Sequence, residues 1–443
     1  MSFMLLGILN AQAAGGVSIS YWLSTLGSSQ YEEGGSVAVD SAGNAYIAGY
    51  TLSGGAGANE GVLAKYLPDG SIAWQRFLGG TNDDILRSIT VDSSDNVYVS
   101  GRTKSVDPGN VDFLLAKYNS SGTIQWQRIL QGGSADDANS VKVDSSGNVY
   151  IGGQTQSTGA GQIDFLLAKY NSSGTIQWQK VLGSSREELL YGIAFDTSDN
   201  VYVVGSGNSG PGALESVLAK YNSSGTIQWQ RKLGGSGTGS ATGYDIVIDG
   251  SNNIYIVGDE RYSGTPKMLL AKYNSSGTIQ WQRSLGATDN DAGRGIALDS
   301  LGNVYLCGYS VNVGAGNNDF VIAKYNSSGT IQWQRTLGAT SSDTGFSIAV
   351  DLLDNLFAFG STGSTGAGSN DFLLAHLPND GSLTGTYTLD GVSMVYAASG
   401  LSATTTAFAS NASSYTDSTS SLTSSTSALA SATAYLTTHL VVI

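Results

Sequence analysis

The stretch NSSGTIQWQ, residues 119–127, occurs five times in this chain without a single change, beginning at Asn119, Asn171, Asn222, Asn274 and Asn326. Asn-Ser-Ser-Gly is typical of a tight turn between two strands. In TIQWQ, Ile and Trp share one face and the glutamines line the other, which predicts a half-solvated strand. The NSS triplets also match an N-glycosylation acceptor, but that chemistry requires a eukaryotic-type secretory route. We therefore interpret the stretch as scaffold, a hairpin turn followed by an outer strand.

A repeat of about 50 residues runs through most of the chain. Every Trp belongs to it, and consecutive Trp residues are 52, 52, 52, 51, 52 and 52 positions apart: Trp22, Trp74, Trp126, Trp178, Trp229, Trp281 and Trp333. A fixed period of this length predicts a propeller or a solenoid.

Each unit holds four short apolar runs bounded by Gly, Asn, Asp and Ser, and no unit has a helical period. The runs are of the types VAVD (Val37–Asp40), NVYVSG (Asn96–Gly101), DFLLAKY (Asp112–Tyr118) and TIQWQR (Thr123–Arg128). Four antiparallel strands in each of seven units predict an all-β fold, a seven-bladed β-propeller over residues 17–384.

The phase of the repeat predicts how the ring closes. The chain enters on a strand of the fourth type, ISYWLSTL (Ile19–Leu26), and the last unit ends after a strand of the third type, DFLLAHL (Asp371–Leu377). We expect the N-terminal strand to complete the last blade, which leaves no open sheet edge between the first and last blades.

Two stretches carry a resemblance to a known family. VKVDSSGNVYIGG (Val141–Gly153) and DFLLAKYNSSGTIQW (Asp112–Trp126) resemble the bacterial seven-bladed β-propeller repeat family of the SBBP type. The resemblance covers roughly residues 20–380. It implies the propeller fold, and it implies no particular function because that family is a scaffold.

The composition narrows the possible functions. A formal net charge of −14 with no basic stripe argues against nucleic acid as a partner. The single Cys307 permits no internal disulfide, and we expect it to be buried in its strand. His376 and His439 are far apart in sequence, and no HExxH, CxxC, GxSxG or P-loop pattern is present. We therefore predict a non-enzymatic protein without catalytic residues, metal or cofactor.

The strand order assigns the connections to two faces of the disc. The first-to-second turns (DSSGN) and third-to-fourth turns (NSSG) form one face, which we call the uniform face. The second-to-third loops and the blade-to-blade loops form the other, the variable face. Both ends of the propeller are predicted to lie on the uniform face, which would hold the module at its base and display the variable face.

Acidic residues recur at two places in the repeat. One set lies eight residues before the inner-strand Asp: Glu32, Asp84, Asp136, Glu188, Asp291 and Asp343, with Ala241 in the fifth unit. The other begins the third strand: Glu60, Asp112, Asp164, Glu215, Asp319 and Asp371, with Lys267 in the fifth unit. The acids could form a ring that binds a cation. We favour the structural alternative, in which each acid accepts backbone N–H groups between blades.

Departures from the repeat are better pointers to a ligand, because near-identical blades offer like groups in a circle and a site needs unlike groups. The candidate ligand-binding residues lie in the divergent loops of the second and fifth units: Arg102, Lys104, Asp107, Arg261, Tyr262 and Lys267.

The Ser/Thr/Ala-rich segment 385–443 has a heptad pattern. Large residues recur every seven positions, at Leu401, Phe408, Tyr415, Leu422, Leu429, Leu436 and Ile443, with smaller residues four positions later. The pattern predicts a helical, parallel oligomerisation stalk, with a trimer favoured and the first six large residues in its seam. An extended β or disordered stalk is the alternative.

The apolar N-terminal peptide, residues 1–16, is too short to span a bilayer and lacks the positively charged start of an export signal. We interpret it as an anchor that docks into a partner protein through Met4, Leu5, Leu6, Ile8 and Leu9, with a poorly cleaved signal peptide as the alternative. FMLLGILNAQAAG resembles the start of virion structural proteins of tailed phages, especially those of marine and cyanobacterial hosts.

That resemblance implies a phage virion protein, a tail fibre or fibre-like appendage at the particle surface. Its partners would be other virion proteins, further copies of itself and a host-surface glycan or protein, unless the propeller is only a rigid spacer. A secreted, extracellular bacterial adhesion or lectin-like propeller is the alternative. A glycan lyase or hydrolase is a third class, which would need an asymmetric cluster of carboxylates or of Tyr and His.

Overall fold

A computed structural model describes most of the propeller and parts of both terminal segments. The described residues are 11–12, 18–52, 58–208, 214–234, 239–261, 264–287, 290–366, 368–405, 409–412, 416–418, 423–426, 430–433 and 437–442. Within these ranges every regular element is a β-strand. No helix in the described part of the chain is long and apolar enough to cross a membrane. The anchoring residues predicted in the N-terminal peptide lie outside the described residues.

The chain begins with β1 (Ala11–Gln12), β2 (Ser18–Ile19) and β3 (Trp22–Gly27). Blades 1 to 4 then follow in chain order as β4 (Glu32–Val39), β5 (Ala45–Thr51), β6 (Glu60–Tyr66) and β7 (Ile72–Gly79); β8 (Asp84–Val91), β9 (Val97–Thr103), β10 (Asp112–Tyr118) and β11 (Ile124–Gln131); β12 (Asp136–Val143), β13 (Val149–Thr155), β14 (Asp164–Tyr170) and β15 (Ile176–Gly183); and β16 (Glu188–Phe195), β17 (Val201–Gly207), β18 (Glu215–Tyr221) and β19 (Ile227–Gly234).

Blades 5 to 7 are β20 (Ser240–Ile248), β21 (Ile254–Arg261), β22 (Lys267–Tyr273) and β23 (Ile279–Gly286); β24 (Asp291–Leu298), β25 (Val304–Val311), β26 (Asn318–Tyr325) and β27 (Ile331–Gly338); and β28 (Asp343–Val350), β29 (Leu356–Thr362) and β30 (Asp371–Leu377). All neighbours in each blade are antiparallel, so the described residues confirm the predicted seven-bladed propeller.

The hydrophobic core lies between adjacent blades rather than at one centre. Tyr46 and Leu63 of blade 1, for example, belong to the same buried cluster as Leu86, Val99 and Leu114 of blade 2. Because each blade buries both of its faces, the strands carry long apolar runs instead of a strict alternation. The free thiol of Cys307 is buried in this core, as predicted.

The repeated hairpin joins each blade to the next. Trp74 donates its indole N–H to the carbonyl of Ser120 in the next hairpin turn at 3.1 Å, and Arg76 Nε donates to Gly122 O at 2.8 Å. Gly122 has a φ of +74°, and a Cβ there would lie 2.8 Å from the Trp74 ring. The same Trp-on-Gly contact recurs at all seven blade junctions, at Gly70, Gly122, Gly174, Gly225, Gly277, Gly329 and Gly381. The constancy of NSSGTIQWQ follows from this contact, which we call the Trp–Gly lock.

The ring closes as the phase of the repeat predicts. Strand β3 pairs antiparallel with β30 and supplies the outer strand of blade 7. Trp22 is fully buried there and donates to Pro68 O of blade 1 at 3.1 Å. His376 packs beside it, stacked on Phe357 with ring centroids 4.3 Å apart. Burial lowers the pKa of His376 to about 4, so this histidine is a neutral core residue.

The C-terminal segment adds a fifth strand to each blade. A hairpin, β31 (Gly385–Leu389) and β32 (Val392–Ala398), pairs with blade 6. Six short strands then pair in turn with blades 5, 4, 3, 2, 1 and 7: β33 (Ser402–Thr405), β34 (Ala409–Ala412), β35 (Thr416–Ser418), β36 (Thr423–Thr426), β37 (Ala430–Thr433) and β38 (Thr437–Val442). We call β32–β38 the belt, because it runs around the rim against the blade order.

The predicted helical stalk is therefore wrong for the described residues of this segment. The period of seven is the chain length from one blade to the next, since each of the six strands β33–β38 begins one residue after a large heptad residue. The belt strands form backbone hydrogen bonds with the exposed edge strands of the seven sheets. In a helix, the same N–H and C=O groups would have bonded to one another. Leu401 is buried against the core between blades 5 and 6. Phe408, Tyr415, Leu422, Leu429 and Leu436 lie outside the described residues, and the homo-oligomer stays a prediction.

Candidate ligand-binding site

A β-bulge interrupts the inner strand of every blade. In blade 2 the register with β9 shifts between Leu86 and Ser88, so Arg87 has no partner across the ladder. The same shift occurs in all seven inner strands. Such a bulge turns its extra residue away from the pleat. The extra residues are Gly35, Arg87, Asn139, Tyr191, Tyr244, Arg294 and Phe346, and we call them the channel mouth.

The channel mouth residues converge on the axis of the propeller. All seven are half-buried and line two adjoining cavities, a wider one of about 320 Å³ and a deeper one of about 130 Å³. The inner strands run from the variable face to the uniform face, so the mouth opens on the variable face. Seven equivalent positions carry five residue types, which gives the site the asymmetry that a ligand needs.

One half of the mouth, on blades 4 to 6, is aromatic and cationic. The Arg294 guanidinium lies over the Tyr244 ring at 4.1 Å and also faces the Tyr309 ring at 5.8 Å. The Tyr244 ring in turn packs on Tyr191, with centroids 5.1 Å apart. Burial raises the pKa of Tyr244 to about 12 despite the nearby charge of Arg294. These phenols therefore stay protonated near neutral pH and act as hydrogen-bond donors.

The other half, on blades 1 to 3, is built from ion pairs and charged hydrogen bonds. Asp137 accepts from Arg87 Nη2 at 3.1 Å and from Arg102 Nη1 at 3.2 Å. Glu33 Oε2 accepts from the Tyr31 hydroxyl at 2.7 Å and from the Tyr50 hydroxyl at 3.0 Å. Each carboxylate in this half is held by two donors, which fixes the side chains in place.

The wall below the mouth is formed by small residues that join neighbouring blades. Ser88 Oγ accepts the Val141 N–H at 3.2 Å, and Asp245 Oδ2 accepts the Ile296 N–H at 3.1 Å. Burial raises the pKa of Asp245, and the charge of Lys142, which also lines the channel, opposes that shift. The channel thus has a polar interior beneath an aromatic mouth.

The five predicted loop residues that the structure describes are not among the residues that line this cavity. Arg102 is nearest to it through its bond to Asp137. Lys104 pairs with Asp83 at 3.6 Å, and Asp107 accepts from the Asn110 side chain within its own loop. Arg261 is exposed at the end of β21 and Lys267 is half-buried at the start of β22. Tyr262 lies outside the described residues. As a ligand site these six residues stay a prediction.

The repeated acids accept backbone N–H groups, as the structural alternative predicts. Acids at the start of inner strands bond to the residue four positions earlier, for example Asp84 to Gly80 N at 2.7 Å and Asp343 to Ala339 N at 2.9 Å. Three acids of the third strand bond to a Gly-Ala-Gly loop, as Asp319 does to Gly314 N at 2.9 Å: Asp164, Asp319 and Asp371. Glu215 pairs with Lys232 at 3.0 Å instead.

Blade 2 departs from this rule. Asp112 is fully buried, and neither of its carboxylate oxygens has a hydrogen-bond partner in the described structure. Its loop has VDPGN in place of the Gly-Ala-Gly motif, and Gln131 stands where other blades have a glycine over the acid. Burial, followed by the charges of Asp136 and Asp107, raises the pKa of Asp112 to about 7.

Sequence reasoning missed the channel mouth for a physical reason. The mouth residue stands five positions before the inner-strand Asp in every unit, so a signal was present. Counting by the strand period of two would place this residue on the same face as buried Val37 or Ile89. The bulge turns the residue to the opposite face, and the alternation of apolar and polar residues in the sequence does not show where a bulge lies.

Comparison with protein families agrees with this architecture. The model described as a β-propeller repeat, SBBP, matches residues 26–55, 74–108, 125–159, 190–212 and 280–312. The chain carries SBBP β-propeller repeats. A β-propeller domain of unknown function, DUF5122, matches residues 302–331, within the same SBBP ring.

Two curated proteins share sequence with the SBBP repeats. An uncharacterized WD repeat-containing protein of Acanthamoeba polyphaga mimivirus is 25% identical over 314 residues, 64% of this chain and 18% of that protein. The regulatory protein FlaEY of Caulobacter vibrioides is 24% identical over 277 residues, 50% of this chain and 28% of that protein. The chain thus spans less than a third of either relative.

Solved propellers share the fold alone. A chain from "COPII on membranes, outer coat vertex" has a TM-score of 0.50 and 11% identity, covering 84% of this chain and 88% of that one. A gluconolactonase from Xanthomonas campestris has a TM-score of 0.39 and 12% identity, covering 83% of this chain and 92% of that one. The non-enzymatic role of this chain stays a prediction.

Proposed function

We propose that this chain is a non-enzymatic binding module that presents the channel mouth to a host-surface glycan or protein. The observation that carries the proposal is the convergence of unlike side chains: the seven bulge residues occupy equivalent positions of the repeat, yet they are of five types and face one cavity. A cavity of about 320 Å³ lined by aromatic rings and a few fixed polar groups is typical of a small-ligand site.

A binding role fits the chemistry of the mouth better than catalysis. A general base must take up a proton near neutral pH, and burial instead raises the pKa values of Tyr191 and Tyr244. The carboxylates of Glu33 and Asp137 are each held by two donors. Turnover of a polysaccharide that Tyr244→Phe abolishes would overturn the non-enzymatic part of the proposal.

The binding test compares variants at two places. Tyr191→Ala and Phe346→Ala remove ring surface from the mouth, and Arg261→Ala with Lys267→Ala removes the charges of the blade 5 loop. On an array of cell-surface glycans and envelope proteins, we expect the mouth variants to lose about tenfold or more of the affinity of the unaltered chain, the cost of about 1.4 kcal/mol. The loop variant should bind as before. Mouth variants that bind as the unaltered chain does would contradict the proposal.

The location of the protein on a virus particle is a further part of the proposal, and a separate experiment tests it. A virion tail-fibre-like protein, anchored through residues 1–16, is supported by the resemblance of its N-terminal peptide to phage structural proteins. Mass spectrometry of the native protein should then find the intact N-terminal peptide. A native protein that starts between Ala13 and Gly16 would instead support the secreted adhesin.

A further inference from the structure

We infer that the channel mouth binds an acidic saccharide, with the carboxylate or sulfate of the sugar on the guanidinium of Arg294. This inference rests on the proposed binding function of the same mouth and adds the chemical class of the ligand. The inference is argued from a buried guanidinium nitrogen without a partner, from mouth carboxylates that already accept hydrogen bonds, and from the aromatic rings beside them.

Arg294 Nε is a buried atom without a hydrogen-bond partner among the described residues. Arg102 Nε is another, but the Arg102 guanidinium is already paired with Asp137. The outer strands supply an internal comparison, because Arg128 also lies over an aromatic ring, that of Trp126, at 5.2 Å. The three nitrogens of Arg128, however, all donate to backbone carbonyls, at 2.6, 2.7 and 3.1 Å. A buried charged donor left without a partner is costly, so this one indicates an acceptor from outside the chain.

The acceptors at the mouth are already occupied. Asp137 is shared by Arg87 and Arg102, and Glu33 is held by the hydroxyls of Tyr31 and Tyr50. Asp259, beside Arg294, accepts from Thr242 and Tyr244, and burial raises its pKa. The hydrogen-bonding group at the mouth that lacks a partner is therefore a donor, and a ligand would have to supply the acceptor. A planar guanidinium is well suited to a carboxylate or a sulfate.

The aromatic residues of the mouth offer surfaces on which a sugar ring can pack. Tyr191 and Phe346 line both cavities on either side of the Tyr244–Arg294 pair. An aromatic ring offers an apolar face for the C–H face of a pyranose, and a Tyr hydroxyl offers a donor to the sugar oxygens. Asn139, also in both cavities, adds an amide that can both donate and accept.

The test is an array of carboxylated, sulfated and neutral oligosaccharides, probed with the full chain and three variants. Arg294→Gln removes the charge, Arg294→Lys keeps the charge but not the planar donor set, and Arg128→Gln is the matched control at the outer strand. We expect acidic oligosaccharides to bind, with affinity lowered about tenfold or more by both Arg294 variants and unchanged by the control. Thermal unfolding of each variant shows whether it is folded, and Phe346→Ala tests the same mouth without touching the charge.

The outcomes separate this inference from the proposed function. Carboxylated ligands alone, or sulfated ligands alone, would identify which acidic group the mouth takes. Binding confined to neutral sugars, or acidic binding that both Arg294 variants retain, would overturn the inference while Phe346→Ala still tests the mouth. Binding of proteins or acidic peptides without any saccharide would overturn the inference and leave the proposed function standing. If no probe of either class depends on the mouth, both fail.

Discussion

The outer hairpins and the channel mouth occupy opposite edges of the same blades. The hairpin sequence is nearly the same in every unit, whereas the mouth residue differs between units. Five hairpins share one sequence, because each provides a Trp to the next blade and receives a Trp from the previous one. The residue two positions after that Trp is an Arg in four of these hairpins and Lys180 in blade 3. The mouth has five residue types at seven positions, and Arg294 keeps a buried donor unused. Repetition therefore marks a contact that every blade must make, and we propose that divergence at positions that the fold brings together marks a binding site.

The strongest way to break the scaffold side of this comparison is Trp22→Ala. The side chain is fully buried and belongs to the strand that closes the ring. We expect the free energy of unfolding to fall by about 3–5 kcal/mol, the usual cost of truncating a buried Trp. Chemical denaturation measures the change. A loss below about 1 kcal/mol would contradict the closure described here.

The belt is tested by Leu401→Ala. This side chain is buried between blades 5 and 6, so we expect a loss of about 2–4 kcal/mol in the free energy of unfolding. Leu301→Ala is the control, since Leu301 is 82% exposed and its truncation should change stability by no more than about 0.5 kcal/mol. Equal, small effects for both variants would show that the belt does not pack as described.

The Trp–Gly lock is tested by Gly122→Ala, which places a Cβ against the Trp74 ring at a φ of +74°. We expect a loss of about 1–3 kcal/mol in thermal or chemical unfolding. Gly133→Ala is the matched control, because a Cβ at Gly133 meets no atom within 4 Å. If both glycines tolerate Ala equally well, the constancy of the hairpin needs another cause.

A smaller, pH-dependent effect is expected where blade 2 departs from the repeat. The raised pKa of Asp112, about 7, means that the folded protein keeps a proton that the unfolded chain releases at about pH 4. The stabilising contribution of this carboxyl is full below about pH 4 and is lost as pH rises toward 7.

Asp112→Asn should remove that part of the pH dependence and stabilise the protein above pH 7. Asp319→Asn is the comparison, because Asp319 accepts the Gly314 N–H at 2.9 Å and the Ala315 N–H at 3.0 Å and should gain no stability from the change. Denaturation midpoints measured from pH 4 to pH 9 check both variants. An Asp112→Asn protein with the pH profile of the unaltered chain would contradict the proton on Asp112.

Much of the fold could be predicted from the sequence, because the Trp spacing and the phase of the strands depend on local period alone. The heptads of the C-terminal segment show the limit of that reasoning. A spacing of seven is compatible with a helix, and it is equally compatible with one short strand and one connection per blade. The choice between the two depends on the seven open sheet edges, which the local sequence does not show. Ser and Thr, weak helix formers, were the local hint.

The candidate site could be predicted less well than the fold. The structural role of most repeated acids followed from their repetition, since one contact per blade needs one acid per blade. The channel mouth did not follow, because a bulge turns Tyr191 and Arg294 toward the axis against the alternation of the strand. The Asp112 carboxylate lacks hydrogen-bond partners because Gln131 and the loop before Asp112 both differ from the repeat. The sequence does not show that these three parts of blade 2 lie together.

Hydrogen–deuterium exchange with and without the tightest-binding saccharide from the array tests the central claim most directly. The account predicts slower exchange on ligand addition in the inner-strand bulges around Arg87, Tyr191, Tyr244, Arg294 and Phe346. The five NSSGTIQWQ hairpins should exchange as before. Protection confined to the loops 102–112 and 259–267, or to the hairpins, with the bulges unchanged, would contradict it.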